Sequence, residues 1–114
     1  MAWTVLLHDD FAAELPALPV AAQNELANMI GLLEQQGPRL RRPHCDTLKG
    51  SKHANMKELR FNAAGGVWRV AFAFDPNRDA VLLIGGDKSG INQKRFYATL
   101  IRVADDRFDA WMEV

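Results

Sequence analysis

The first forty residues contain one alternating segment followed by two stretches with helical spacing. Residues 3–8 alternate weakly and are rich in β-forming side chains, which predicts a first strand. Asp9 and Asp10 occupy positions typical of helix N-caps, ahead of a short helix over 11–18 that contains a proline. A second helix begins with Pro19 in its first turn and stops at a Gly-Pro pair. Its apolar residues form one stripe at three- and four-residue spacing: Ala22, Leu26, Met29, Ile30 and Leu33.

The polar stretch that follows, residues 39–55, is predicted to be a long loop. A loop of this length in so short a chain is more often functional than merely connecting. Three strand patterns come next, separated by turn signals, and they cover residues 56–62, 67–74 and 80–84. The short connections favour antiparallel hairpins.

A glycine pair, Gly85-Gly86, is predicted to end the third of these strands. Asn92 can then cap a last helix. The apolar residues of that helix fall on one face: Tyr97, Leu100, Ile101, Ala104, Phe108, Trp111 and Met112. The predicted order is β-α-α-β-β-β-α, an α+β fold in one domain over residues 1–114, with helices packed on one face of a small, largely antiparallel sheet.

Composition adds two constraints. The 114 residues contain no apolar run long enough to span a membrane, and the N-terminus lacks the basic patch and apolar core of a signal peptide. The single cysteine, Cys45, excludes an internal disulfide and is typical of a reducing compartment. We therefore expect a cytoplasmic protein with no membrane association.

Charge is distributed unevenly although its net value is zero. Residues 1–38 contain no Lys or Arg but five acidic residues, whereas residues 39–60 contain seven Lys or Arg and two acidic residues. Such a segregated charge distribution produces a directional field. The basic segment is therefore the first candidate for function.

The strand pattern places several of these cations together. Side chains alternate across a strand, so Glu58 and Arg60 share one face, and an antiparallel hairpin can bring Arg69 beside Arg60. We therefore expect a cationic sheet face opposite the helices. Such a face suits a phosphodiester chain, because Lys and Arg supply most of the non-specific affinity for phosphate groups. Further polar residues lead into or flank this face: Lys49, Lys52, His53, Lys88, Lys94, Arg95 and Tyr97.

Other interpretations of the same residues remain open. Arg60 and Arg69 can simply pair with Glu58 or Asp79 across strands, and strict alternation places Lys57 on the opposite face, with Leu59. A zinc site formed by His44, Cys45 and His53 is a further hypothesis, although the spacing of these residues matches no common structural zinc site. The Gly-rich segment 85–90 lacks the order of a P-loop and is better explained as a turn.

Several motifs in order resemble the RelE/ParE toxin superfamily, and especially its phage-derived HigB-like branch. These motifs are Leu48-Lys49-Gly50, Met56-Lys57-Glu58-Leu59-Arg60, Trp68-Arg69-Val70-Ala71-Phe72, Leu83-Ile84-Gly85-Gly86-Asp87-Lys88 and Lys94-Arg95-Phe96-Tyr97. The resemblance extends from the first strand to about Tyr97. Each motif is short, so the specificity lies in their order and spacing.

The resemblance implies the toxin of a toxin–antitoxin system that cleaves messenger RNA in the ribosomal A site. It also implies a cognate antitoxin, in this branch usually a helix-turn-helix protein, and a reaction that requires neither metal nor cofactor. Mapped onto this chain, Arg60 and Arg69 would hold the scissile phosphate, Lys57 or Lys52 would assist electrostatically, and a neutral Lys, His53 or Tyr97 would act as acid or base. The expected RNA-binding cations are Arg41, Arg42, Lys49, Lys52, Lys88 and Lys94.

Two alternative functions are compatible with the same superfamily. One is a ParE-like toxin that inhibits DNA gyrase by protein contact. The other is a catalytically inactive, phage-derived domain that retains only binding. The dense basic centre favours RNA, because a gyrase-binding surface does not need a cation cluster facing phosphates.

Overall fold

The computed structural model describes residues 2–113, which form five strands and three helices. The strands are β1 (Val5–Leu7), β2 (Cys45–Thr47), β3 (Lys57–Ala63), β4 (Gly66–Phe74) and β5 (Ala80–Asp87). The helices are α1 (Asp9–Glu14), α2 (Val20–Gln36) and α3 (Gln93–Met112). Single 3₁₀ turns at Leu15–Ala17 and Gly37–Arg39 follow α1 and α2. No helix in this part of the chain combines the length and the apolar character needed to cross a bilayer.

The five strands form one sheet in the order β1-β5-β4-β3-β2. β1 runs parallel to β5, and the other three neighbouring pairs are antiparallel. The predicted α+β class with a mainly antiparallel sheet is therefore confirmed. The predicted second and third helices are also confirmed, including the Asn92 cap, whose side chain accepts a hydrogen bond from the Arg95 N–H at 3.1 Å.

Helices cover both faces of the sheet, so the prediction that all of them lie on one face is wrong. Helices α1 and α2 bury one set of strand residues, including Leu59, Val70, Phe72 and Leu82. Helix α3 packs on the opposite face through Phe96, Leu100, Ala104 and Phe108, which contact Ala71, Ala73, Val81 and Leu83. The cause is visible in β4 and β5: both strands are apolar at consecutive positions, and each of the two faces must therefore be buried.

Three local predictions need correction. The supposed loop 39–55 contains β2, whose three residues are too short to produce a periodic signal and which forms by pairing with β3. The cap of α1 is His8, whose Nδ1 accepts the Asp10 N–H at 3.1 Å, while both aspartates lie inside the first turn.

β5 also continues through the glycine pair that was predicted to end it. A Cβ at Gly85 would lie 3.3 Å from the Phe11 ring, and one at Gly86 would lie 3.1 Å from the Phe96 ring. The two glycines therefore leave room for one aromatic side chain from each layer of helices.

A two-residue turn sets the register of the β3–β4 hairpin. Ala64 and Gly65 have φ values of 51° and 74°, the left-handed values that a tight type I′ hairpin turn requires at both central positions. Ala63 then pairs with Gly66, and counting back along both strands places Arg60 opposite Arg69.

Candidate functional site

Arg60 and Arg69 lie together as predicted, but they do so on the sheet face that α3 covers and not on a helix-free face. Arg60 pairs directly with Arg69, and Glu58 shares their face because it lies two residues from Arg60. This face also carries Ala71, which packs under α3. The candidate site therefore lies beside the N-terminal half of α3 and not on a helix-free face.

Glu58 links the two arginines. Its Oε2 accepts a hydrogen bond from Arg60 Nη1 at 2.8 Å, and its Oε1 lies 3.8 Å from Arg69 Nε. The Glu58 and Arg69 side chains are only 5% and 7% exposed, whereas that of Arg60 is 20% exposed. The alternative pairing of Arg69 with Asp79 does not occur. Two guanidinium groups share one carboxylate, so the cluster keeps an excess positive charge beneath the surface.

Tyr97 closes this network from α3. Its hydroxyl donates to Glu58 Oε1 at 2.8 Å and accepts from Arg69 Nε at 3.2 Å. Burial, and next the hydrogen bond to Glu58, raise the pKa of the Tyr97 hydroxyl above its ordinary value. Tyr97 therefore stays protonated near neutral pH and can donate a hydrogen bond or a proton.

Lys88 lies over the ring of Tyr97. Its Nζ is 5.9 Å from the ring centroid and 3.4 Å from Gln93 Oε1. Partial burial, followed by repulsion from Arg69 and Arg60, lowers the pKa of the Lys88 ammonium. The surroundings of Lys88 therefore favour loss of its proton.

These groups line an open, mostly polar cleft of about 450 Å³. Its wall is completed by the end of β2 and the residues after it. The lining residues are Arg42, Asp46, Thr47, Leu48, Lys49, Glu58, Arg60, Lys88, Gln93 and Tyr97. Arg42 forms an exposed ion pair with Asp46 at 2.7 Å, and this hydrogen bond is the main reason that the pKa of Asp46 is lowered. The cleft therefore presents several cations and few free carboxylates, an arrangement that suits a phosphodiester group.

His53 and Lys52 lie away from this cleft. His53 Nε2 is 2.8 Å from Asp109 Oδ1, and Lys52 also forms an ion pair with Asp109. Asp109 follows Tyr97 by twelve positions on the same helix, which corresponds to roughly 18 Å along its axis. The loop that carries His53 and Lys52 is therefore held against the far end of α3, and the structure does not bring either side chain to the arginines.

The other predicted site residues divide between the cleft and its surroundings. Lys57 pairs with Phe72 and lies on the Leu59 face, as strict alternation indicated, near the buried Cys45. Arg41 and Lys94 are exposed and do not line the cleft, whereas Arg42, Lys49 and Lys88 do. His44 is exposed beside the buried Cys45, and residues 2–113 contain no group of three His, Cys, Asp or Glu side chains placed to hold a metal ion.

Sequence reasoning did not identify the centre of the site. Glu58 appeared only as an ordinary cross-strand partner, although its carboxylate contacts Arg60, Arg69 and Tyr97. Gln93, which lines the cleft beside Lys88, has no signal in the sequence that marks it as a site residue. The one available signal was the Glu-x-Arg spacing on a strand, which places both side chains on one face but does not report their burial.

Comparison with known proteins agrees with the resemblance drawn from the motifs. Residues 13–109 match the family model described as "Phage derived protein Gp49-like". Two proteins of Mycobacterium tuberculosis are similar in sequence. "Putative toxin HigB3" is 48% identical over 96 residues, which are 84% of this chain and 82% of that protein. "Putative toxin HigB2" is 45% identical over 80 residues, 69% of this chain but only 39% of that longer protein.

A solved structure has the same fold. A double arginine-to-alanine mutant of the Escherichia coli toxin RelE, in the free state, superposes with a TM-score of 0.64 over 90% of this chain and 96% of that one, at 11% sequence identity. The shared architecture confirms the RelE-like fold expected from the motif order.

Proposed function

The chain belongs to the phage-derived Gp49-like family, and on that basis we propose that it is the toxin of a toxin–antitoxin pair and an endoribonuclease that cuts messenger RNA. The toxins HigB3 and HigB2 named above support the toxin role. The observation that carries the nuclease role is the cleft in which Arg60 faces Arg69 while Lys88 lies over Tyr97. The proposal includes translating ribosomes as the place of cleavage and a helix-turn-helix antitoxin as the partner.

Cleavage of RNA by its own 2′-hydroxyl makes three chemical demands. A base must remove the 2′-hydroxyl proton, a cation must stabilise the charge that develops on the phosphorane, and an acid must protonate the departing 5′-oxygen. Amino-acid side chains can meet all three demands. The cleft contains candidates for each role within one network.

We assign charge stabilisation to Arg60. It is the more exposed of the two arginines, and its Nη1 is already oriented by Glu58 at 2.8 Å. Arg69 is buried and donates to Tyr97 and to the Trp68 carbonyl, so we regard it as a positioning residue for Tyr97 and Glu58. Arg42 and Lys49, on the cleft wall, supply contacts to neighbouring phosphates.

We assign the base to Lys88 and the acid to Tyr97. A lowered pKa increases the fraction of neutral amine at Lys88 that can accept a proton. A raised pKa keeps Tyr97 protonated and able to donate one. The Lys88 amine lies 5.9 Å from the centroid of the Tyr97 ring, and both residues line the same cleft, so one phosphate group bound there can be reached by both.

Mapping the 5′ ends of cellular messenger RNA after brief induction tests this proposal. We expect the wild type to produce cuts in register with codons, and we expect these cuts to be lost in Arg60→Ala and in Lys88→Ala. A variant with Arg39→Ala, an exposed arginine outside the cleft, is the matched control and should cut normally. Growth arrest without such cuts would contradict the nuclease role, and undiminished cutting in both cleft variants would contradict the assignment of the cleft as its site.

A further inference from the structure

One flank of α3 faces the segment that connects β2 to β3. Four residues follow one another along this flank at four-residue intervals: Tyr97, Ile101, Asp105 and Asp109. The first of them lies in the cleft. The next packs near the backbone of Gly50, where a Cβ would lie 3.5 Å from Ile101 Cδ1. The last two bind the connecting segment through hydrogen bonds and ion pairs.

Asp105 is the buried anchor of this contact, and its residue is only 9% exposed. Its Oδ1 accepts the Ser51 hydroxyl at 2.5 Å, and its Oδ2 accepts the Lys52 N–H at 3.1 Å. The Ser51 hydroxyl oxygen in turn accepts the His53 N–H at 2.9 Å. A buried carboxylate is costly unless its oxygens are hydrogen-bonded, so this geometry holds three consecutive residues of the segment in one place.

The segment held by Asp105 begins in the cleft. Leu48 is 4% exposed and belongs to the core cluster under α3, and it lines the cleft together with the exposed Lys49. Lys49 is only two residues from Ser51. The Asp105 carboxylate therefore joins the wall of the cleft to the helix that carries Tyr97.

The hydrogen bonds of Asp105 supply a constraint that the apolar packing of α3 does not. Burial of apolar side chains against the sheet is non-directional, whereas hydrogen bonds to a carboxylate depend on angle as well as distance. The Tyr97 hydroxyl needs such a constraint, because it must meet Glu58 Oε1 at 2.8 Å and Arg69 Nε at 3.2 Å at the same time. A small shift or rotation of α3 would break one of the two contacts.

We propose that Asp105 is a positioning residue for the cleft. It lies about 12 Å from Tyr97 along the axis of α3 and acts by tying the 48–53 segment to that helix, which fixes the Tyr97 hydroxyl against Glu58 and Arg69. The inference rests on the proposed function, since it concerns the residue assigned there as the acid.

Titration of Tyr97 tests this coupling without measuring activity. Tyr97 is the single tyrosine of the chain, so the absorbance of tyrosinate reports on it alone. Burial, and next the hydrogen bond to Glu58, raise its pKa above 10.0. We expect Asp105→Asn and Ser51→Ala each to lower this pKa by at least about half a pH unit, because a displaced α3 admits water to the hydroxyl.

Two matched variants control the titration. Asp106→Asn removes the same charge at the neighbouring exposed position and should leave the pKa of Tyr97 as in the wild type. Ser51→Thr keeps the hydroxyl that Asp105 accepts and should do the same. An unchanged pKa in both Asp105→Asn and Ser51→Ala, or an equal shift in Asp106→Asn, would overturn the proposal.

Single-turnover cleavage of messenger RNA on translating ribosomes tests the consequence for the reaction. Asp105→Asn, confirmed as folded by circular dichroism, should lower the rate at saturating RNA at least about tenfold, whereas Asp106→Asn should cut as the wild type does. The loss should shrink to less than about threefold in the Tyr97→Phe background, because Asp105 acts through Tyr97. An equal loss in both backgrounds would indicate general destabilisation and would overturn the proposal.

The two proposals can fail separately. If the wild type cuts no RNA but Asp105→Asn still lowers the pKa of Tyr97, the nuclease role fails and the positioning of Tyr97 by Asp105 stands. If the wild type cuts RNA and Asp105→Asn changes neither the pKa of Tyr97 nor the rate, the positioning role fails and the nuclease role stands.

Discussion

Replacing Glu58 with glutamine removes the negative charge that two arginines share. The Arg69 side chain is only 7% exposed, so loss of its counter-charge leaves a cation buried and poorly solvated. Breaking a buried ion pair from one side costs about 3 kcal/mol or more. With 114 residues and an unfolding entropy of about 2.1 cal/mol/K per residue, that loss lowers Tm by roughly 12 °C.

Thermal unfolding followed by circular dichroism measures this change. Asp46→Asn is the matched control, because it removes a carboxylate from an ion pair at the surface of the same cleft. Exposed pairs contribute about 1 kcal/mol at most, so this variant should lose no more than about 4 °C. A loss for Glu58→Gln as small as that for Asp46→Asn would refute the argument that Glu58 compensates buried charge.

A double-mutant cycle separates the charge effect from simple loss of packing. Glu58→Met leaves Arg69 without its counter-charge, whereas Glu58→Met combined with Arg69→Met removes both buried charges. Replacing both members of a buried pair with apolar side chains is often close to neutral. The double variant should therefore be more stable than the sum of the single changes predicts, by at least about 1 kcal/mol. Strict additivity would show that the two side chains are energetically independent.

Three further predictions follow from the same structure. The rate of RNA cleavage under single-turnover conditions should increase with pH toward an apparent pKa below the ordinary lysine value of 10.5, because Lys88 must lose its proton to act as a base. Lys88→Arg should abolish that increase, and a pH-independent wild-type rate would contradict the assignment of Lys88. Gly86→Ala should lower the free energy of unfolding by about 1–3 kcal/mol, since the new Cβ meets an aromatic ring at 3.1 Å. Gly31→Ala, whose new Cβ has no atom within 4 Å, should raise the free energy of unfolding by up to about 1 kcal/mol. Equal effects of the two changes in urea titrations would be inconsistent with the packing described. The hydrogen bond from Arg107 lowers the pKa of Glu14 in the folded protein. This ion pair therefore stabilises the fold above the pKa that Glu14 has in the unfolded chain, and its contribution is lost as the pH falls through the lowered pKa of the folded state. Glu14→Gln should show a smaller loss of Tm on acidification than the wild type, and an identical loss would be evidence against this contribution.

The helices and the three long strands could be predicted from local pattern because their signals are contained within each element. The stripe on α2 and the cap of α3 are clear examples, as both depend on residues within one or two turns of each other. β2 had no such signal, because three residues carry no periodicity and the strand exists only through its pairing with β3. The continuation of β5 through two glycines likewise depends on aromatic rings that come from two different helices.

The candidate site, too, could be predicted from the sequence only where it depends on local pattern. The meeting of Arg60 and Arg69 followed from strand alternation and a short hairpin turn, both of which are local. The inclusion of Lys52 and His53 followed only from their closeness in sequence, and it failed because Asp109, more than fifty residues away, binds both side chains. Lys88 and Tyr97 approach the arginines from β5 and α3.

By itself, the sequence determined the fold class, the order of the long elements, the concentration of cations in residues 39–60 and the facing pair of arginines. These features depend on side-chain periodicity, turn chemistry and charge along the chain, which are properties of neighbouring residues. Only the tertiary structure decided that α3 covers the arginine face, that Glu58 is the buried centre of the network, and that the surroundings of Lys88 lower its pKa. Burial and electrostatic coupling depend on distances between residues far apart in the chain, and the packing of α3 against the sheet sets those distances.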